Sequence, residues 1–532
     1  MKLKNYITLL SVAALFTACD MDKYPEGGTV LQDQKEDVIK NDPSKMSAEL
    51  NALKAIMTQY GGANHTDYGV PSINLYQDCS GQDMVSEQHG YNWYQGALLF
   101  RDRLSTNFTS NFMWSFYYGH IKAANDILKT MYASYEEADR VGEVANYIGQ
   151  ALASRAFDYL ELIQVFQFTY LGHEDALGVP MVLEDITTEQ SQNNPRAAVK
   201  DVYAQILKDL DLAIEYLSKN PVKRVDKAQI TAEVAYGLRA RVNMLMGKYA
   251  EAASDADNAM KGAQPYSMAE VSVPSFNDAS AASWIWGIII TEENDVVKTG
   301  IVNYPSHLCS LTGNGYTTGT GTNVVYKRIN SNLYNHMDKS DVRKSWFVDL
   351  QGQSQALNNA YGTDGPIIAG ALGYLPYTNV KFGPNDNVLL NPTNAQDYPL
   401  MRAEEMLLIK AEALGRTQGV AAGKAVLEGF LKTYRAPEYV CNASSVEEFV
   451  DEVWKQRRIE LWGEGFSLKD ILRLKKPIVR KGANFSPNVT FDDIAPESAI
   501  MIYNIPEAET NVTKGITLDQ INEVATPPSP MR

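Results

Sequence analysis

Apolar residues recur at three- and four-residue steps through much of the first half of this chain, and that spacing commits it to packed helices. Ile148, Leu152, Ala156, Tyr159, Ile163 and Phe166 form one stripe; Val199, Val202, Ile206, Leu210, Ala213 and Leu217 form another. At 3.6 residues per turn each set falls on one helix face, which must be buried against a neighbour. Two shorter stripes follow in close succession. Ala235, Leu238, Val242 and Leu245 are ended by Gly247, and Tyr249, Ala253, Ala256 and Met260 by Gly262. Glycine just past the last apolar residue is a common helix C-terminal signal, because it adopts the left-handed backbone without a Cβ clash.

These last two stripes lie in "AYGLRARVNMLMGKYAEAASDADNAM", which resembles a tetratricopeptide-type helical hairpin. The texture changes after about Val271. Stripes disappear, Gly313, Gly315, Gly319 and Gly321 crowd together, and Trp284, Trp286 and Ile288 alternate with Ser283, Ile285 and Gly287 as in a strand. Helical signals then return. Asp397-Tyr398-Pro399 reads as a helix start with Leu400, Ala403, Leu407, Ala411 and Leu414 as its buried face. Ser445-Val446-Glu447-Glu448 reads as a capping box opening a helix that Gly463 and Gly465 end. The expected fold is mainly α: a tetratricopeptide-like hairpin scaffold with a loop-rich region containing a few short strands. Helices occupy 46–270 and 397–532, and loops occupy 271–396.

The first residues carry a separate message. Lys2 and Lys4 precede an apolar run from Tyr6 to Phe16, then Thr17-Ala18-Cys19. A basic start, a short apolar core and small residues before a cut describe a secretory signal. Leu15-Phe16-Thr17-Ala18-Cys19 resembles a lipobox, so 1–18 is expected to be removed and Cys19 acylated. Residues 19–45 then read as a lipidated tether with little structure. No later apolar run approaches the roughly 20 residues needed to cross a bilayer, so membrane attachment is expected through the lipid alone. A formal charge of −16 argues against nucleic acid as a partner. Cys79, Cys309 and Cys441 are far apart and match neither a disulfide framework nor a zinc site.

Signals for catalysis are weak. None of the six histidines pairs with another at the four-residue spacing of a metalloprotease helix, and no Gly-x-Ser-x-Gly elbow occurs. Gly313-Asn314-Gly315 with Gly319 lacks the spacing of a nucleotide loop. No acidic calcium loop appears. The expectation is a chain without catalytic residues, cofactor or resident metal.

Several blocks resemble the SusD/RagB-like lipoproteins. "QRRIELWGEGFSLKDILRLKK" matches the family pattern through Arg457, Arg458, Glu460, Leu461, Glu464, Gly465, Asp470 and Arg473. "YPLMRAEEMLLIKAEAL" matches through Arg402, Glu405, Ala411 and Glu412, and "NLYNHMDKSDVRKSWF" through Asp341 and Arg343. A fourth block runs from "SRAFDYLELIQVFQ" through "LGVPMV" to "AVKDVYAQILKDLDLAIEYL". Gln456 and Ser467 depart from the pattern, where Glu and Arg are usual. The three-residue spacings Arg402–Glu405 and Arg457–Glu460 make each pair helix neighbours and suggest buried structural networks rather than an acid–base pair. The resemblance implies a surface-exposed outer-membrane lipoprotein that binds an oligosaccharide without chemistry. It would pass the ligand to a SusC-like TonB-dependent transporter and close over it as a lid. Peptide or glycopeptide import, a tetratricopeptide-like protein scaffold and a surface glycoside hydrolase are the alternatives.

Sugar rings need flat aromatic faces and amide groups, and two segments offer them. "QHGYNWYQG" supplies Asn92, Trp93 and Tyr94 next to Tyr91; "NYPSHLCSLTGNGYTTGTG" supplies Tyr304, Asn314 and Tyr316 beside Asn303 and His307. Trp93 and Tyr316 stand out for their loop context; Trp284 and Trp286 read as strand core.

Overall fold

The computed structural model describes residues 32–87, 90–318 and 324–531. The signal, Cys19, Gly319 and Gly321 lie outside the described residues.

The chain opens with helices α1 (Gln32–Asn41), α2 (Ser47–Ile56) and α3 (Val70–Ser80). The tether reading of 19–45 is corrected over its second half. Ile39 and Met46 are buried, and Tyr135 donates a hydrogen bond to the Ile39 carbonyl, so this segment packs despite its polar composition. The scaffold proper follows: α4 (Phe108–Ser134), α5 (Gly142–Phe166), α6 (Val199–Lys219), α7 (Ala232–Leu245) and α8 (Tyr249–Ala259). Each helix packs on the next. The array resumes after the loop-rich region, where α8 packs on a later helix, α10 (Ala403–Thr417). Between them lies the short helix α9 (Tyr304–Leu308). Helices α11 (Val420–Tyr434), α12 (Val446–Glu460) and α13 (Ser467–Arg473) complete the array.

Helix α5 is the hub. From Val144 to Phe166 every residue but Tyr147 is buried, because α4 and α6 both pack along it. Gly149 permits the close approach of α6: a Cβ there would sit 2.7 Å from Leu217 Cγ. The capping box forms as expected, with Glu448 N–H donating to Ser445 Oγ at 3.2 Å.

Strands are few and short. Met84–Val85 (β1) pairs antiparallel with Arg328–Ile329 (β5), Leu177–Pro180 (β2) with Arg196–Ala198 (β3), and Trp284–Ile288 (β4) with Tyr398–Arg402 (β6). Trp284 and Trp286 are core residues, as their alternation suggests. The helix start read at Asp397-Tyr398-Pro399 is corrected. These residues enter β6, and α10 begins only at Ala403. The tertiary partner β4, more than a hundred residues upstream, outweighs the local proline signal. The buried face of α10 also differs. Leu407 and Leu414 are only partly covered, whereas Glu404, Glu405 and Glu412 are buried.

Those carboxylates belong to two ionic networks. Glu460 receives Nε and Nη2 of Arg435 at 2.9 Å each and Nη1 of Arg343 at 3.2 Å. Arg402 binds Glu464 at 2.8 and 2.9 Å and Glu404 at 2.8 Å. In the second network Glu405 takes Arg241, Glu412 takes Arg473 and Asp470 takes Arg457. The expected buried networks therefore exist, but their pairing is corrected. Arg402 and Glu405 do not share a helix, and Arg457 and Glu460 each bond elsewhere, because the partners come from other segments.

Candidate ligand-binding site

Three loops bring four rings to one surface. The loop before α3 carries His65, the turn after β1 carries Tyr91 and Trp93, and the loop after α9 carries Tyr316. Tyr91 is 56% exposed and Trp93 39%, while His65 and Tyr316 are half-buried. The Trp93 and His65 rings stack at 4.6 Å and 23°. Tyr316 stands edge-on to Trp93 at 6.4 Å and lies 6.1 Å from Tyr91. Its hydroxyl is hydrogen-bonded to His65 Nδ1.

Local backbone chemistry explains why these rings face outward. Trp93 N–H donates to the Tyr91 carbonyl at 2.9 Å, tightening the turn. Asn92 points inward, donating to Ser86 Oγ at 3.1 Å and to the Glu87 carbonyl, while its Oδ1 accepts from Tyr94 N–H at 3.3 Å. Side chains thus alternate: Tyr91 out, Asn92 in, Trp93 out, Tyr94 in. On the other loop, Tyr316 N–H donates to the Ser306 carbonyl at 2.8 Å. Gly315 makes that approach possible, since a Cβ there would lie 2.4 Å from Ser306 Cα.

Beneath the surface a second tier holds the first in place. His307 stacks under Tyr316 at 4.6 Å and 23°, lies parallel to Tyr68 at 5.8 Å, and meets Tyr94 edge-on at 5.2 Å. The hydroxyls of Tyr68 and Tyr94 share a hydrogen bond of 2.6 Å. His307 Nε2 donates to the His65 carbonyl at 3.1 Å, which ties the two tiers together. Burial pushes the His307 pKa down to about 3, with the Lys327 charge adding to the effect, so the imidazole is neutral at ordinary pH. The rings are thereby set before any ligand arrives, which lowers the ordering cost of binding.

Of the sequence candidates, the structure brings Trp93 and Tyr316 together at the surface. Asn92 and Tyr94 lie directly below and are buried, so they are supports rather than exposed contacts. Tyr304 is corrected: it sits in α9, not a loop, and its hydroxyl donates to the Asp397 carbonyl at 2.8 Å in the core. His307 shares that helix and is likewise buried. Asn314 is half-buried, and its Nδ2 donates to the Gly300 carbonyl at 3.1 Å. Sequence reasoning missed His65. A single histidine in a polar loop carries no local sign that it will stack on a tryptophan.

Comparison with known proteins fits this architecture. One family model, described as starch-binding associating with outer membrane, matches residues 33–244, and a second, described as the SusD family, matches residues 308–523. The chain belongs to the SusD family. This SusD-family chain is 20% identical over 370 residues to a SusD-like protein of Formosa agariphila, covering 62% of this chain and 67% of that one. Among solved structures it is similar to a SusD-like carbohydrate-binding protein from Bacteroides vulgatus, with a TM-score of 0.73 at 23% identity over 91% of this chain and 98% of the other. A SusD superfamily protein from Bacteroides thetaiotaomicron aligns with a TM-score of 0.70 at 20% identity, covering 90% of this chain and 99% of that one. A laminarin-binding SusD-like protein aligns at 0.63 and 19%, covering 91% and 99%. The family match also spans the platform: His65, Tyr91 and Trp93 fall in the first matched region and Tyr316 in the second. The family is one of carbohydrate-binding proteins associated with the outer membrane. Among the described residues no helix is long and apolar enough to cross a membrane.

Proposed function

We propose that this protein captures oligosaccharides at the cell surface on the platform of Tyr91, Trp93, Tyr316 and His65, without cleaving them. It delivers them to a SusC-like TonB-dependent transporter, over which it acts as the lid. Acylated Cys19 tethers it to the outer membrane. The observation that carries the binding reading is the set of preset rings: large amphipathic side chains stay exposed while the tier below is buried and rigidly bonded. Flat rings of this kind meet sugar C–H faces, and their hydroxyl and imidazole groups meet sugar hydroxyls. No platform side chain is a carboxylate, lysine or arginine, which suits uncharged sugars.

Calorimetric titration of the protein beginning after Cys19 against uncharged glycans and peptides tests this reading. Losing one ring contact of about 1–2 kcal/mol weakens binding roughly 5- to 30-fold. Trp93→Ala and Tyr316→Ala should each show that loss while the variants stay folded with a cooperative melt, and the glycan should be recovered intact. Peptide binding alone, or a cleaved glycan, refutes the proposal. Co-purification of the transporter with the full lipoprotein, abolished by Cys19→Ala only at the level of membrane attachment, tests the partner and the anchor.

A further inference from the structure

A second cavity lies at the far end of the α7–α8 hairpin. It has a volume of about 600 Å³ and is walled by the end of α6, the loop after it, the start of α7, the end of α8 and β4. Its chemistry is the opposite of the platform's. Arg224, Lys227 and Lys261 line it. Arg224 directs Nε and Nη2 at backbone carbonyls of Asp226, Lys227, Gln229 and Ile285 and forms no ion pair among the described residues. The ammonium groups of Lys227 and Lys261 have no hydrogen-bonding or ionic partner among the described residues. Arg155, Arg239 and Arg241 meet carboxylates, whereas the fully covered Arg196 and Arg480 are, like Arg224, held by carbonyls. Arg224 differs from those two in lining an open cavity beside two unpaired ammonium groups.

Burial holds the pKa of Lys227 and of Arg224 below their usual values, so both charges are incompletely compensated where they stand. The acids facing them are Glu233 and Asp226, which act on Arg224 from the side of α7 and from its own loop. The start of α7 opens on the same cavity. Its N-cap, Thr231, makes no capping hydrogen bond, and its hydroxyl is buried without a partner. The positive end of a 14-residue helix adds to the field, offset in part by Glu233, which stands in its first turn and lines the same cavity. Tyr236 supplies an aromatic ring on the same wall, with Arg239 covering it 5.3 Å from the ring centre.

We propose that this cavity is a second sugar site, selective for acidic saccharide units: the carboxylate or sulfate group sits between Lys227, Lys261 and Arg224, and the ring lies against Tyr236. The site is separate from the aromatic platform in both residues and chemistry, so a mixed polysaccharide could engage the protein through its uncharged and its charged units at different places.

The test is calorimetry on the protein beginning after Cys19 with trigalacturonate, a sulfated heparin disaccharide and uncharged maltotriose, at 50 and 500 mM salt. At least one of the two acidic sugars should bind, and Lys227→Ala/Lys261→Ala should weaken it tenfold or more without changing the melting temperature. Raising the salt should weaken it several-fold, since partly exposed charges are screened. Trp93→Ala should leave this binding unchanged, which separates the failure of this site from failure of the platform. Trigalacturonate alone assigns a carboxylate site and the disaccharide alone a sulfate site. Absence of binding by both acidic sugars, or binding lost in Trp93→Ala and kept in the double lysine variant, overturns the proposal.

Discussion

Glu412→Gln removes one negative charge from the interior while keeping the side chain's shape, and its cost can be worked from the structure. Glu412 is 1% exposed in its side chain and accepts both Nη groups of Arg473, at 2.7 and 2.9 Å, together with Arg416 Nε at 3.0 Å. Burial alone would raise its pKa, but the Arg473, Arg416 and Arg457 charges overcome this and hold it at about 2, against an ordinary 4.5. A carboxyl group with a depressed folded-state pKa stabilises the fold above its unfolded pKa and loses that contribution as pH falls through the folded value. At 1.36 kcal/mol per unit, the shift corresponds to about 3 kcal/mol at pH 7. By the same linkage roughly half of it remains at pH 3. Urea unfolding of the parent and Glu412→Gln across pH 7 to 3 reads the difference directly. The expected gap is about 3 kcal/mol at neutral pH, narrowing below pH 4.5, consistent with the few kcal/mol that follow from breaking a buried ion pair. A gap under about 1 kcal/mol at pH 7, or one that does not change with pH, refutes the reasoning.

Two further outcomes follow from the platform and its support. Tyr304→Phe removes the hydrogen bond to the Asp397 carbonyl and should cost about 1 kcal/mol of stability, read by chemical denaturation, while leaving glycan affinity unchanged. Gly315→Ala drives a methyl group into Ser306 and should displace Tyr316, so calorimetry should show a loss of glycan affinity at least as large as that of Tyr316→Ala.

The helical scaffold was legible in the sequence because its signals are local. The stripes of α5 and α6, the glycines after α7 and α8, and the Ser445 capping box each lie within a few turns of the helix they define. The segment at Asp397–Pro399 was not, because β6 exists only by pairing with β4. The networks show the same division. That Arg402, Glu460 and Arg457 would be buried in ionic networks could be read from the three-residue spacing of the charges, but which group bonds which depends on segments far apart in the chain. At the site, the glycine-flanked Trp93 and Tyr316 were visible as loop aromatics. The inward turn of Asn92 and Tyr94 depends on Ser86 and on the tier below them, and His65 gains its place only through Trp93 and Tyr316.

The end of α12 and the segment that follows it are bolted to the first hundred residues of the chain. Arg458 grips Asp83 across a separation of 375 residues, Gly465 and Ser467 donate their N–H groups to Asp78, and Arg480 caps the carbonyls of Cys79 and Gly81. Closing a flexible loop of that length costs about 5 kcal/mol in chain entropy, so these contacts are expected to form after the intervening array that shortens the effective loop. A polypeptide interrupted before Arg458 cannot secure α3, and with it the loops carrying His65 and Trp93. Shortened versions are therefore expected to be open, protease-sensitive chains and not smaller working binders, and the order of synthesis leaves the binding face as one of the last parts of the molecule to become whole.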